Sequence, residues 1–191
     1  MEPTTEPAGA PAGLVAESAD GFAGEGDGFE RLWTPHRMVY IAGDRPDPEG
    51  GDGCPFCTAP GKDDAEGLVV HRGEHCYVVM NLFPYNPGHV LVCPYRHVAL
   101  YVDLTDEETT EFTALTKAAI AALESASAPM GYNLGMNQGA VAGAGVAAHL
   151  HQHVVPRWGG DANFLPIVAR TKALPMLLED VRSRLVAHWP A

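Results

Sequence analysis

The segment His149-Leu150-His151-Gln152-His153-Val154-Val155 alternates polar and apolar side chains with a period of two. On a strand, residues i, i+2 and i+4 share one face about 6.6 Å apart. The pattern predicts a strand whose three imidazoles form a row, with Leu150 and Val154 turned into a core behind them.

Further strands surround it. Leu68–Arg72, Cys76–Asn81 and His89–Cys93 are short apolar or β-branched runs separated by Arg72-Gly73-Glu74 and Pro84–Gly88, which suits an antiparallel meander. Tyr132–Met136 reads as another strand, joined to the histidine strand by a Gly/Ala-rich turn over 139–147. Thr105 with Glu108 three residues on forms a capping box, and Phe112, Leu115, Ala119 and Leu123 then recur at helical spacing until Pro129. A last helix beginning near Leu174-Pro175 carries Leu178, Val181 and Leu185 on one face. Strands before and after a helix, without βαβ alternation, indicate an α+β fold. Its antiparallel sheet has about five strands, with a main helix and a C-terminal helix.

The N-terminus has a different character. Residues 1–30 carry seven acids and no Lys or Arg, and the first 28 hold six Gly and three Pro with few large apolar side chains. This composition predicts a disordered acidic tail over 1–30 and one domain over 31–191, with Leu32, Trp33, Met38, Tyr40 and Ile41 as the first patch able to anchor. Residues 42–61 read as a long connection interrupted by Cys54-Pro55-Phe56-Cys57. The net charge of −12 includes no basic stripe, which argues against a nucleic-acid polymer as partner. A small phosphorylated ligand can still be held by backbone N–H groups and a few His and Arg. No apolar run approaches the roughly 18 residues a membrane span needs, and the acidic start lacks both the basic region and the apolar core of a signal peptide. The expectation is a soluble, cytoplasmic protein without a membrane partner.

Imidazole titrates near neutrality and serves as nucleophile, general acid or metal ligand. The histidine row is therefore open to three readings: a solvated polar face, a tridentate metal site, or a reactive centre. The adjacent Gly139–Val146 turn can offer several N–H groups to phosphate oxygens, since glycine permits close approach.

These residues resemble the histidine-triad (HIT) family, whose motif alternates His with apolar residues and matches here at His149, His151 and His153. Gln152 departs from the pattern by placing an amide where the family buries an apolar group. Asn81-Leu82-Phe83-Pro84-Tyr85-Asn86-Pro87-Gly88-His89-Val90-Leu91-Val92-Cys93-Pro94 is similar to the family's upstream ribose-side motif. Asn133–Gln138 with the Gly-rich turn, and Pro156–Phe164, are similar to a bacterial branch that includes diadenosine tetraphosphate phosphorylases. The resemblance runs from about Leu32 to Ile167.

It implies a HIT-like fold and an enzyme cleaving dinucleoside polyphosphates, by phosphorolysis or hydrolysis, through a nucleotidyl-histidine intermediate on His151. His153 would lie beside the phosphoryl oxygens. Asn81 would hold a ribose hydroxyl, and Asn137, Gln138, Gly143, Gly145 and His153 would contact nucleotide. Gly145 stands where the family often has Gln or Ser, so phosphate binding must rely more on backbone or water. Homodimerisation is a family expectation. The alternatives are a nucleoside phosphoramidase or AMP hydrolase of the same family, and a non-catalytic nucleotide-binding module. A hexose-1-phosphate nucleotidylyltransferase is disfavoured, because those enzymes resemble His-x-His-x-Gln and position 153 is His.

Cys54 and Cys57 could be a zinc half-site, a redox pair or incidental thiols; the absence of a preceding βαβ unit disfavours the redox reading. The resemblance implies that His97 and His149 complete a structural zinc set with Cys54 and Cys57, with no organic cofactor. His36, His71, His75, His89 and His188 have no such context and are read as surface or hydrogen-bonding residues.

Overall fold

A computed structural model describes residues 53–161 and 174–190. The expected tail over 1–30, the anchoring patch from Leu32 to Ile41, and the Ala162-Asn163-Phe164 end of the Pro156–Phe164 motif lie outside those residues. Within them, five antiparallel strands form one sheet: β1 Val69–Arg72, β2 Cys76–Met80, β3 Val90–Pro94, β4 Gly131–Met136 and β5 Gln152–Arg157, in the order β1-β2-β3-β5-β4. The three helices are α1 Pro55–Thr58, α2 Asp106–Ser127 and α3 Leu178–Ala187. Two differ from expectation: α1 forms within the supposed linker because Pro55 opens a single turn, and α3 starts at Leu178 rather than near Leu174-Pro175, whereas α2 agrees closely.

The central strands β2 and β3 are buried along their whole length, because both faces of the sheet are covered. On one face Cys76, Val78, Met80, Val90, Val92, Leu150 and Val154 pack against Phe112, Leu115, Ala119 and Leu123 of α2 and Val181 and Leu185 of α3. On the other, Val69, Tyr77, Val79, Leu91 and Cys93 meet Phe56 and Tyr95. This second face carries the site.

Two carboxylates of α2 fasten the loops around it. Thr105 and Glu108 close the expected capping box, and Glu108 also takes two bonds from the Arg96 guanidinium, 2.9 and 2.7 Å, which anchors the loop bearing His97. Arg96 holds the Glu108 carboxyl below the usual carboxylate range. Glu111 accepts the N–H groups of Glu74, His75 and Cys76 and so pins the β1–β2 turn.

The departure at Gln152 has a local compensation. Its side chain turns toward α2, where Nε2 donates to Thr116 Oγ1 at 3.1 Å, while the Thr116 hydroxyl itself donates to the Phe112 carbonyl at 2.8 Å. Leu150 and Val154 are buried on that side, as the alternation predicts. The strand itself is shorter than expected, starting at Gln152 instead of His149. Leu150 N–H bonds to the Val98 carbonyl, 2.6 Å, beyond the end of β3. Pro94 has no N–H with which to extend the ladder, and the chain diverges there toward the His97 loop.

Candidate functional site

Two of the triad histidines bond to a backbone carbonyl that assigns their tautomer, and the third bonds to another imidazole. His151 Nδ1 lies 2.8 Å from the His149 carbonyl oxygen, which can only accept. His151 therefore carries its proton on Nδ1 and presents an unprotonated Nε2. His149 Nε2 lies 3.0 Å from the Pro94 carbonyl, so its proton is on Nε2 and its Nδ1 lone pair is available. His153 Nδ1 lies 2.9 Å from Nε2 of His89. The two outer imidazoles thus use opposite nitrogens for structural bonds.

Burial keeps all three neutral. It pushes His149 down to about 4, with His97 and His151 adding to the effect, and His153 down to about 4, with His151 adding. Burial also lowers His151, opposed by its bond to the His149 carbonyl. A neutral imidazole with one free lone pair is a nucleophile at pH 7. Phe56 covers the His151 ring at a centroid separation of 4.8 Å.

The His149 lone pair points into a cluster with Cys54, Cys57 and His97. Its Nδ1 is 3.5 Å from Cys54 Sγ, 3.4 Å from Cys57 Sγ and 3.2 Å from His97 Nδ1, and Cys57 Sγ is 3.2 Å from His97 Nδ1. A tetrahedron with bonds of roughly 2.0–2.3 Å has edges of about 3.3–3.8 Å, close to these four separations, and all four ligand atoms lie within 4.8 Å of one another. Burial and the adjacent Cys54 push the Cys57 thiol up to about 11, so a cation is what would hold it as a thiolate. This is the one such group of His, Cys, Asp or Glu among the described residues, and it replaces the tridentate reading of the histidine row: His149 leaves the row to join the cysteines.

Of the expected nucleotide-binding residues, Asn81 lies beside His89. Its Oδ1 accepts Phe83 N–H at 3.0 Å, and its Nδ2 lies 3.3 Å from His89 Nδ1. Gln138 is exposed, and its Oε1 accepts Tyr101 N–H at 2.8 Å. Asn137 is half-buried at the end of β4. Gly143, with φ +81°, and Gly145 lie on the turn that leads into His149. A separate cavity of about 250 Å³, lined by residues including Leu123, Ala126, Trp158, Met176 and Leu185, lies among the helix-side elements and has no triad residue in its wall.

His89 was not singled out by the sequence, yet it is fully buried and bonded to the triad. Its place two strands away in the chain gave no local signal. The clue available was its position at the start of a strand that must pair with the histidine strand. Indeed, His153 is registered opposite Leu91, two residues from His89.

A family model described as HIT domain matches residues 62–160. The chain is 48% identical over 174 residues, 89% of each chain, to a protein named AP-4-A phosphorylase in two strains of Mycobacterium tuberculosis. An uncharacterized HIT-like protein of Methanocaldococcus jannaschii is 33% identical over 108 residues, 56% of this chain and 81% of that one. Among solved structures, a Zn-bound histidine triad family protein from Mycobacterium smegmatis has a TM-score of 0.58 over 73% of this chain and 94% of that chain, at 24% identity, a likeness of fold.

Proposed function

This chain belongs to the HIT domain family, and from that premise we propose that it is a nucleotidyl-transferring enzyme that cleaves dinucleoside polyphosphates such as diadenosine tetraphosphate. The observation that carries the reading is the His151 tautomer: Nδ1–H is held by the His149 carbonyl and Nε2 is unprotonated. His151 Nε2 attacks the α-phosphorus, the bond from phosphorus to the bridging oxygen breaks, and the departing nucleotide takes that electron pair. Because Nδ1 keeps its proton, the nucleotidyl-imidazole is cationic and a good leaving group. An acceptor oxygen then attacks phosphorus from the opposite side and returns His151 to its starting form. His153 donates a hydrogen bond to phosphoryl oxygens, where charge develops.

Asn81 retains an amide N–H and an oxygen lone pair for a ribose hydroxyl. Asn137, Gln138 and the backbone of Gly143 and Gly145 surround the polyphosphate. Phosphate is the favoured acceptor, supported by the identity to a protein named AP-4-A phosphorylase and by the Pro156–Phe164 resemblance.

The metal is zinc, held by Cys54, Cys57, His97 and His149. Four protein ligands leave no open position, so zinc supplies folding free energy and fixes His149. The domain spans 31–191 with an acidic tail over 1–30. The enzyme is a homodimer, a reading supported by the edge strand β4, where Leu134 is half-exposed. It is cytoplasmic, a compartment that keeps its four free thiols reduced. Among the described residues no helix is long and apolar enough to cross a membrane.

Incubation with diadenosine tetraphosphate, with and without inorganic phosphate, tests the reaction. ADP plus ATP, formed only with phosphate, is the expected outcome. AMP plus ATP in both conditions would make water the acceptor, and no cleavage in either would overturn the reading.

A further inference from the structure

Around His89 the donors and acceptors form a directed chain. Phe83 N–H donates to Asn81 Oδ1 and so orients that amide with Nδ2 toward His89. Tyr85 N–H donates to His89 Nδ1 at 3.0 Å, and Asn81 Nδ2 lies nearer to that nitrogen, at 3.3 Å, than to Nε2, at 3.5 Å. A backbone N–H aimed at Nδ1 requires a lone pair there. His89 therefore carries its proton on Nε2, which lies 2.9 Å from His153 Nδ1. That contact has one direction of donation: Nε2–H of His89 to the lone pair of His153 Nδ1. The remaining proton of His153 must then sit on Nε2.

We propose that His89 is a positioning residue for the cleavage reaction, fixing His153 in the Nε2–H tautomer so that it meets the phosphoryl oxygens as a hydrogen-bond donor. In the other tautomer His153 would present a lone pair to an anionic substrate and repel it. The two tautomers of a free imidazole are close in energy, so without an external donor His153 would divide between them. His89 is suited to the task because it cannot rotate away: it is fully buried, and Tyr85 stacks against it at a centroid distance of 4.8 Å and against His153 at 5.8 Å. The whole device is set by the Asn81–His89 loop, outside the triad. Its catalytic part rests on the proposed reaction, whereas the tautomer itself does not.

The test compares three substitutions in the full-length protein. His89→Gln can still donate from its amide to His153 Nδ1, His89→Leu cannot donate, and His89→Glu supplies an acceptor that draws the His153 proton to Nδ1. Nitrogen-15 NMR of the imidazoles reads the tautomer directly, and kcat and KM for diadenosine tetraphosphate read its consequence. In the unsubstituted protein His153 should be protonated on Nε2 alone. His89→Leu and His89→Glu should lose that preference, and kcat should fall about 10- to 100-fold with a much smaller change in KM. His89→Gln should keep the tautomer and most of kcat. Protonation of His153 on Nδ1 in the unsubstituted protein would overturn the proposal, even if a variant fails to fold. So would His89→Leu with unchanged kcat, or His89→Gln as impaired as His89→Leu. If the tautomer is as stated but no dinucleotide is cleaved, the proposed reaction fails and the tautomer assignment stands.

Discussion

The carbonyl oxygen of His149 accepts the Nδ1–H of His151 at 2.8 Å, so the residue whose ring faces the cysteine pair also orients the central imidazole of the triad through its backbone. In the proposed reading, metal binding and chemistry share one residue, and a change at the first should be felt at the second.

The protein should contain one zinc per chain. Cys57→Ser should lose it and a few kcal/mol of stability, a fall in melting temperature of roughly 5–10 °C for a domain of this size. Because His149 then loses a restraint, kcat should fall as well while the protein is still folded. Metal analysis with a thermal melt and initial rates measures all three. Unchanged zinc content and melting temperature would contradict the ligand assignment.

Gln152 and Thr116 form a compensating pair between β5 and α2. Thr116→Val strands the Gln152 amide and should destabilise by about 1 kcal/mol, while Gln152→Leu with Thr116→Val should restore most of that loss. Urea unfolding of the two single variants and the double variant gives the coupling. Strict additivity would mean that the bond contributes nothing.

Asp161 accepts from Arg157, Asn86 and the Trp158 N–H, with Arg157 holding its carboxyl well below the usual range. A depressed folded pKa adds stability above the unfolded value near 4 and loses it as pH falls through the folded one. The unsubstituted protein should therefore melt higher than Asp161→Asn at pH 6, and the gap should close as the pH is taken below about 3. A gap that is constant with pH would show that the carboxylate charge is not what matters there.

Much of this arrangement is legible in residue order. The Thr105–Glu108 box marks the start of α2, and the His149–His153 alternation sends Leu150 and Val154 into the core. The start of α3 is not legible, because Leu174, Met176 and Leu177 continue the apolar pattern while contributing nothing to the helix face that packs. Nor is the retreat of β5 to Gln152, which depends on where its neighbour β3 runs into Pro94. The role of His89 depends on register between strands, since a single histidine after Pro-Gly has no periodic signature of its own.

The N-terminal expectation rests on composition alone. Deletion of residues 1–28 should leave melting temperature and turnover nearly unchanged, as that segment has little apolar surface to bury. A tenfold fall in kcat/KM would assign it a part in the site.

The central claim is that His151 becomes covalently nucleotidylated. Mass spectrometry of enzyme trapped during turnover under alkaline conditions, which spare a phosphoramidate, should find a nucleotidyl adduct on His151. His151→Ala should bind nucleotide, form no adduct and lose turnover by several orders of magnitude. An adduct mapping to His153, or substantial turnover by His151→Ala, would contradict the account.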